Sequence, residues 1–282
     1  MAMALGMGRI RSPFLQSKSS VVGLLCIGVL TLGSAFSSAF TKYDPNSQGD
    51  LLTARYLSPS QDHPFGTDKL GRDVFSRVLH GGRISLTIAF CVVILSMTIG
   101  LIYGTVSGYV GGAIDMIMMR LLDFQLAFPS LFLTITIIAV FQLNHWYLIP
   151  ILGLTGWMET ARIVRAEVLS LKERDFILAA RGLGFGRSRI LIRHIVPNCL
   201  APVIVAATLK VGEVILLESA LSFLGIGVQP PTASWGSIIN DGRDGLLRAW
   251  WISTFPGIFI VLTVMSFNLI GDGLRAGLNP RD

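Results

Sequence analysis

The chain has 282 residues, of which 52% are hydrophobic and only 14% charged. Soluble domains carry about 25% charged residues, so the composition excludes a disordered chain and a disulfide scaffold and argues against an ordinary soluble enzyme. The net charge of +6 is concentrated rather than spread: eight Lys or Arg lie between Arg162 and Arg193, and three more precede residue 20. Clusters of this kind mark the cytoplasmic loops of membrane proteins and do not require nucleic acid as a partner. The class predicted is a polytopic, all-α membrane protein.

A helix needs about 20 apolar residues to cross the hydrocarbon core. After a basic leader, residues 1–20, the first such run is Val21–Phe40. Its flanking Arg9 and Arg11 and its Ser37-Ser38-Ala39 end also fit a cleaved signal peptide, although twenty residues is long for that purpose. A long loop of mixed charge, 41–83, leads to the uncharged run Ile84–Val110, and Phe124–Leu143 follows. The stretch Trp146–Trp157 is short, and by length alone it is also consistent with a re-entrant segment. Charge parity argues for a crossing, because the leader and the basic stretch 162–198 should both be cytoplasmic. The fourth helix is therefore expected to run past Glu159 toward Arg162. Leu200–Leu224 and Trp251–Ile270 complete six crossings with both termini cytoplasmic, in one transmembrane domain over 21–282. The six basic residues of loop 41–83 pull against this assignment, but five acids offset them.

Within the second run, Gly100, Gly104, Gly108 and Gly112 recur every four residues. Such a stripe lets another backbone approach closely, as a static seam or a moving one. Pro129 is expected to kink the third helix. Charges inside spans face a partner or a cavity. Lys210 and Glu213 stand three apart on one helix face, while Glu218 falls on another part of the surface. All three read either as pathway-lining groups or as an ion-paired support between helices. Asp123, Glu159 and Arg162 lie near helix ends, where solvation or an inter-helix pair accounts for them. Cys26, Cys91 and Cys199 sit in or beside apolar runs with no CxxC partner, and His63, His80, His145 and His194 have no metal-ligand spacing. No HExxH, GxSxG or GxxxxGK[ST] motif occurs, so neither catalysis nor ATP binding by a phosphate loop is indicated.

The most informative stretch is Leu171 to Asn198. It reads as a helix, a glycine bend at Gly182-Leu-Gly184-Phe-Gly186, and a second helix that stops near Pro197. Ala179 and Ala180 give a smooth surface before the bend, and Arg181, Arg187, Arg189 and Arg193 flank it. A short basic knob suits docking to a cytoplasmic partner or contact with anionic lipid. The stretch resembles the EAA loop of permease subunits of ABC importers: Ala179, Ala180, Gly184 and Pro197 fall on that pattern. Leu178 stands where the pattern has Glu, His194 where it has Ile, and Val196 where it has Leu.

Three further segments carry the resemblance to the dipeptide, oligopeptide and nickel branch, and to its C-type permeases in particular. They are Gly66-Thr-Asp68-Lys-Leu-Gly71-Arg72-Asp73 with Ser76-Arg77 and Arg83, then Leu221 to Pro231 with Trp235-Gly236, then Phe255-Pro256-Gly257 with Phe267-Asn268 and Gly271-Asp272-Gly273. The resemblance covers residues 20 to 282. It implies a permease in a bacterial or archaeal cytoplasmic membrane that pairs with a second homologous permease. Two ABC ATPase subunits holding ATP and Mg would drive it, and an external binding protein would supply peptide or, alternatively, nickel or a metal chelate. No cofactor is expected in this chain itself. Phe176 to Arg189 would be the coupling element, docking an ATPase through Ala179, Ala180, Arg181, Gly182, Gly184 and Arg187, with His194 and Pro197 at the loop's end. A stand-alone channel or a secondary transporter is the rival from a different class; the latter would need inverted repeats, and none is visible.

Overall fold

The computed structural model describes residues 17–278, apart from 51, 142 and 143. Among these residues the fold is helical, and the only β-pairing is an isolated bridge between Thr67 and Asp73. The all-α reading of the sequence therefore holds. Most of the leader, with Arg9 and Arg11, and Arg281 at the other end lie outside the described residues.

Helix α1 runs Lys18–Ala35 and is followed by a single turn, α2, Ser37–Phe40. The first apolar run is thus broken at Phe36 rather than continuous to Phe40. Helix α3, Val74–Val110, has 37 residues, about 55 Å at 1.5 Å per residue. That exceeds a hydrocarbon core of about 30 Å, so its first turns project beyond the span. The helix begins ten residues earlier than the hydropathy suggested, because Asp73 caps it by accepting from Ser76 N at 2.7 Å and its charged first turns are satisfied within the fold. The outer loop accordingly ends at residue 73, not 83.

The third span departs most from expectation. Instead of one helix over Phe124–Leu143, α4 (Gly112–Leu126) and α5 (Ser130–Phe141) meet at 73°. Pro129 sits in the break between them, where its missing N–H is tolerated. Helix α4 starts at Gly112 because Gly111 and Gly112 both adopt positive φ, +70° and +59°, which separates it from α3. Gly112 therefore does not continue the glycine stripe.

Helices α6 (Leu148–Gly156) and α7 (Met158–Leu171) follow, joined at Trp157, so the fourth helical stretch does run past Glu159 and well beyond Arg162. Helix α8, Asp175–Gly182, is the first half of the knob. Helix α9 then runs Arg187–Phe223. Pro197 does not stop it: the turn Leu191–Ile195 is π-helical, and Val196 N bonds Leu191 O. The wider i→i+5 turn absorbs the register that Pro197 and Pro202 would break. Helix α10, Trp235–Gly242, opens with a Ser234 capping box, and α11 spans Trp251–Leu278.

Four helices (α1, α3, α9 and α11) are each long and apolar enough to cross a membrane, and the bent α4–α5 pair makes a fifth candidate. Contacts along the glycine stripe give the relative direction of α3 and α6–α7. Leu95 lies against Gly153, Gly100 against Trp157 and Thr160, Gly104 against Val164, and Gly108 against Val168. Both numbers rise together, so the two run parallel and their C-termini, Val110 and Leu171, end on the same side. Helix α11 packs antiparallel on α1 and α9, with Gly23 against Ser266 and Gly212 against Val264. One buried cluster joins α1, α3, α6–α7, α9, α10 and α11.

Residues 41–50 and 52–73 fold as a cap on the other side. Arg72 bonds Asp68 at 2.6 Å and Asp241 at 2.9 Å, and Arg77 and Lys69 reach the same Asp241 at 3.1 and 3.2 Å. Trp251 Nε1 donates to Thr67 O at 3.1 Å, and Phe65 stacks on Phe255 at 3.9 Å. The ion cluster ties the cap to α10, and the aromatic contacts tie it to α11.

Candidate functional site

The knob is built from α8, the glycine bend and the start of α9. Helix α8 ends in a paired closure: Phe185 N bonds Ala180 O and Gly184 N bonds Arg181 O. This is the Schellman pattern, which needs a left-handed residue at the second position, and Gly184 supplies it with φ +76°. Nothing lies within 4 Å of where a Gly184 side chain would begin, so backbone conformation alone selects glycine there. Gly186 then starts the next helix, with Ile190 N bonding its carbonyl. Arg189 lies over the Phe185 ring at 4.3 Å, which stiffens the bend from the far side.

The predicted docking residues divide between two faces. Ala179, Arg181, Gly182, Gly184 and Arg187 are exposed, whereas Ala180 is buried beside Ile177. Ala180 therefore packs into the buried cluster of the chain itself. Within the expected coupling stretch, the individually named docking residues leave out three exposed apolar side chains, Phe176, Leu178 and Leu183, with Leu183 at 74%. The available signal was an apolar residue between two glycines in an otherwise basic loop. His194 is half-buried and stacks on Phe185; Pro197 is exposed within α9.

Helix α7 leads directly into the knob, and it is also the partner of the glycine seam. A Cβ on Gly100 would meet Thr160 Cβ at 2.6 Å, and one on Gly108 would meet Val168 Cβ at 3.0 Å. Real Cβ contacts do not come as close as the first of these, so α3 and α7 touch backbone to backbone. The same helix holds α4 by two ion pairs. Arg165 grips Asp115 with both Nε and a terminal nitrogen at 2.6 Å, while Ser107 of α3 donates to the same carboxylate at 2.5 Å. Arg162 pairs with Asp123 one helical stretch further along. Only Leu122 of α4 is buried, so these pairs supply much of what fixes α4 in place.

At the other end of α7 lies a cavity of about 230 Å³. The α4–α5 bend forms one wall through Leu126, Phe128 and Pro129; α6–α7 and α9 form the others. Glu159 of α7 and Lys210 and Glu213 of α9 line it, with Lys210 Nζ 2.9 Å from Glu213 and 3.4 Å from Glu159. The expected i,i+3 pair is thus present, and it opens on a cavity.

Glu218 is separate. It is fully buried, with no cation on it among the described residues; Ser85 of α3 and Ser222 donate to it at 2.9 and 2.7 Å. Ser85 Oγ also accepts from Trp235 N at 3.3 Å, and Ser222 Oγ from Val228 N at 3.0 Å. Glu218 is the hub that fastens α9, α3 and the entry to α10, and it is not among the residues that line the Lys210 cavity.

No group of three His, Cys, Asp or Glu side chains converges to hold a metal among the described residues. His63 instead pairs with Asp73 at 2.9 Å and stacks on Tyr43. The three cysteines are free thiols.

Residues 96–281 match the family described as "Binding-protein-dependent transport system inner membrane component". Among characterised relatives, the chain is 43% identical over 268 residues to the oligopeptide transport system permease protein OppC of Bacillus subtilis, covering 95% of this chain and 87% of that protein. It is 40% identical over 271 residues to the dipeptide transport system permease protein DppC of Alkalihalophilus pseudofirmus, covering 94% and 87%. Among solved structures, the MetNI methionine ABC transporter in an inward-facing conformation matches with a TM-score of 0.54 at 18% identity, over 72% of this chain and 96% of that one. That likeness is one of fold.

Proposed function

Because the chain belongs to the family of binding-protein-dependent transport system inner membrane components, we propose that it is one permease of a peptide-importing ABC transporter. In this reading it lines half of a pathway shared with a second, homologous permease. Of two ATPase subunits, which hold the ATP and Mg, one docks on the knob of this chain at Phe176–Arg189 and the other on the second permease, and an external binding protein delivers peptide at the capped side. The α6–α7 pair is the remaining crossing, giving six with both termini cytoplasmic. The chain itself performs no catalysis and carries no cofactor.

The observation that carries this reading is the 43% identity, over 95% of this chain, to a protein named as an oligopeptide permease. The geometry supports it through one mechanical feature. Helix α7 has the knob at its C-terminal end and Glu159 of the cavity at its N-terminal end, and it packs rigidly on α3 along the glycine seam. A push on the knob is therefore delivered to the cavity wall as a rigid-body shift, the kind of bistable element on which switching depends.

The test is affinity purification from the native membrane in mild detergent, with identification of the co-purifying subunits and assay of their ATP hydrolysis. Two ATPases and a second permease are expected. Recovery of the chain alone, with no ATPase activity, would refute the reading.

A further inference from the structure

The cavity beside Lys210 has a charge imbalance that the peptide-import reading does not by itself explain. Lys210 lies at its floor, its side chain only 11% exposed, while Glu159 and Glu213 stand at its rim, 68% and 58% exposed. One ammonium faces two carboxylates, so the site carries a net negative charge. Charges at membrane depth are costly and mark pathways or partners. Glu213 meets Lys210 through both of its oxygens, whereas Glu159 reaches it through one oxygen at 3.4 Å, which leaves the other Glu159 oxygen without a partner among the described residues.

Size restricts what can enter. At about 230 Å³ the space falls below the roughly 300–1,000 Å³ of sites that enclose a whole small molecule. A chain end fits; a whole peptide does not. Leu126, Phe128, Pro129 and Val214 line the space beside the charges, together with Ser130 and Thr155, so an ammonium entering from the open rim would make charge-assisted bonds to the carboxylates with apolar walls behind it.

Resting on the reading that peptides are carried, we propose that Glu159 and Glu213 bind the protonated α-amino group of the passing peptide, with Lys210 bridging the two carboxylates and offsetting their repulsion. The site selects free N-termini during passage, independently of the binding protein. The α4–α5 bend closes one side of it, and α7 connects it to the knob, so occupancy and ATPase docking act on the same rigid helix.

The test uses the complete permease–ATPase complex in lipid nanodiscs, without binding protein. Equilibrium binding of radiolabelled trialanine is compared with that of N-acetyl-trialanine. A charge-assisted bond lost on acetylation should weaken binding about ten-fold or more. The double variant Glu159→Gln/Glu213→Gln, which keeps side-chain shape, should bring the two peptides to equal affinity. Lys210→Gln, which leaves both carboxylates unneutralised, should widen the preference instead. Equal affinity in the wild type, or a preference that survives the double variant, overturns the proposal. The same preparations, given binding protein and ATP, are assayed for peptide uptake. Uptake without an amine preference overturns this inference and leaves the proposed function standing, whereas absence of ATP-driven uptake of any peptide overturns the proposed function itself.

Discussion

Gly184 offers the sharpest perturbation of the coupling knob. Its φ of +76° closes α8, and a side chain there would touch nothing within 4 Å. Substitution therefore adds no clash; it adds only the cost of holding an L-residue in left-handed backbone, about 1–2 kcal/mol. If docking requires the bend to be kept, that cost appears as a loss of affinity for the ATPases of roughly five- to thirty-fold. The residue order is predicted as well. Asn tolerates this conformation better than Ala, and β-branched Val is the worst of the three. The assay is titration of purified ATPase subunits onto permease pairs in nanodiscs carrying Gly184→Asn, Gly184→Ala or Gly184→Val. Affinity should fall in that order, with folding of the pair unchanged by size-exclusion profile. Wild-type affinity in Gly184→Val, or the same loss in all three variants, would refute the reasoning.

Three other perturbations read separate parts of the structure. Gly104→Ala places a methyl 2.8 Å from Val164 Cβ and should destabilise by about 1–3 kcal/mol, whereas Gly28→Ala, which meets nothing within 4 Å, should be neutral or stabilising; thermal unfolding in detergent separates them. Ser85 and Ser222 donate to different oxygens of Glu218, so Glu218→Gln keeps an acceptor for only one of them and should lower the melting temperature, though less than removal of both acceptors. Glu218→Ala strands both hydroxyls and should cost about 1–3 kcal/mol in the same assay. For the α4 attachment, a double-mutant cycle of Asp115→Asn and Arg165→Gln should return a coupling energy of about 1–2 kcal/mol, between the exposed and buried limits for ion pairs. A value near zero would mean that α4 is fixed by packing alone.

What the sequence made legible follows from how local each signal is. The spans were visible because twenty uncharged residues have few alternatives, and the glycine stripe pointed to the α3–α7 seam because a four-residue period defines one helix face. The motif residues Gly66, Gly71, Gly184 and Gly225 all turn out to have positive φ, so their spacing recorded backbone geometry. The failures needed information from elsewhere in the chain. Helix α4 was hidden because Asp115, Arg120 and Asp123 interrupt its hydropathy; two of them are answered by Arg165 and Arg162, about 40 to 50 residues away. Pro197 read as a stop because the π turn that accommodates it has no composition signature. Ala180 was assigned to the docking surface along with Ala179, although adjacent helical residues point about 100° apart and the body of the protein covers the second one. Nothing in the local sequence indicated that Glu159 would meet Lys210, 51 residues on.

The central claim is that this chain moves solute only as part of an ATP-driven, binding-protein-fed assembly. The most direct measurement is uptake of labelled peptide into proteoliposomes holding both permeases and both ATPases, with and without ATP inside and binding protein outside. The account predicts uptake that requires both, and that falls in step with ATPase docking in the Gly184 variants. Uptake by the permeases alone, without ATP or binding protein, would contradict it and make the chain a channel or a secondary transporter.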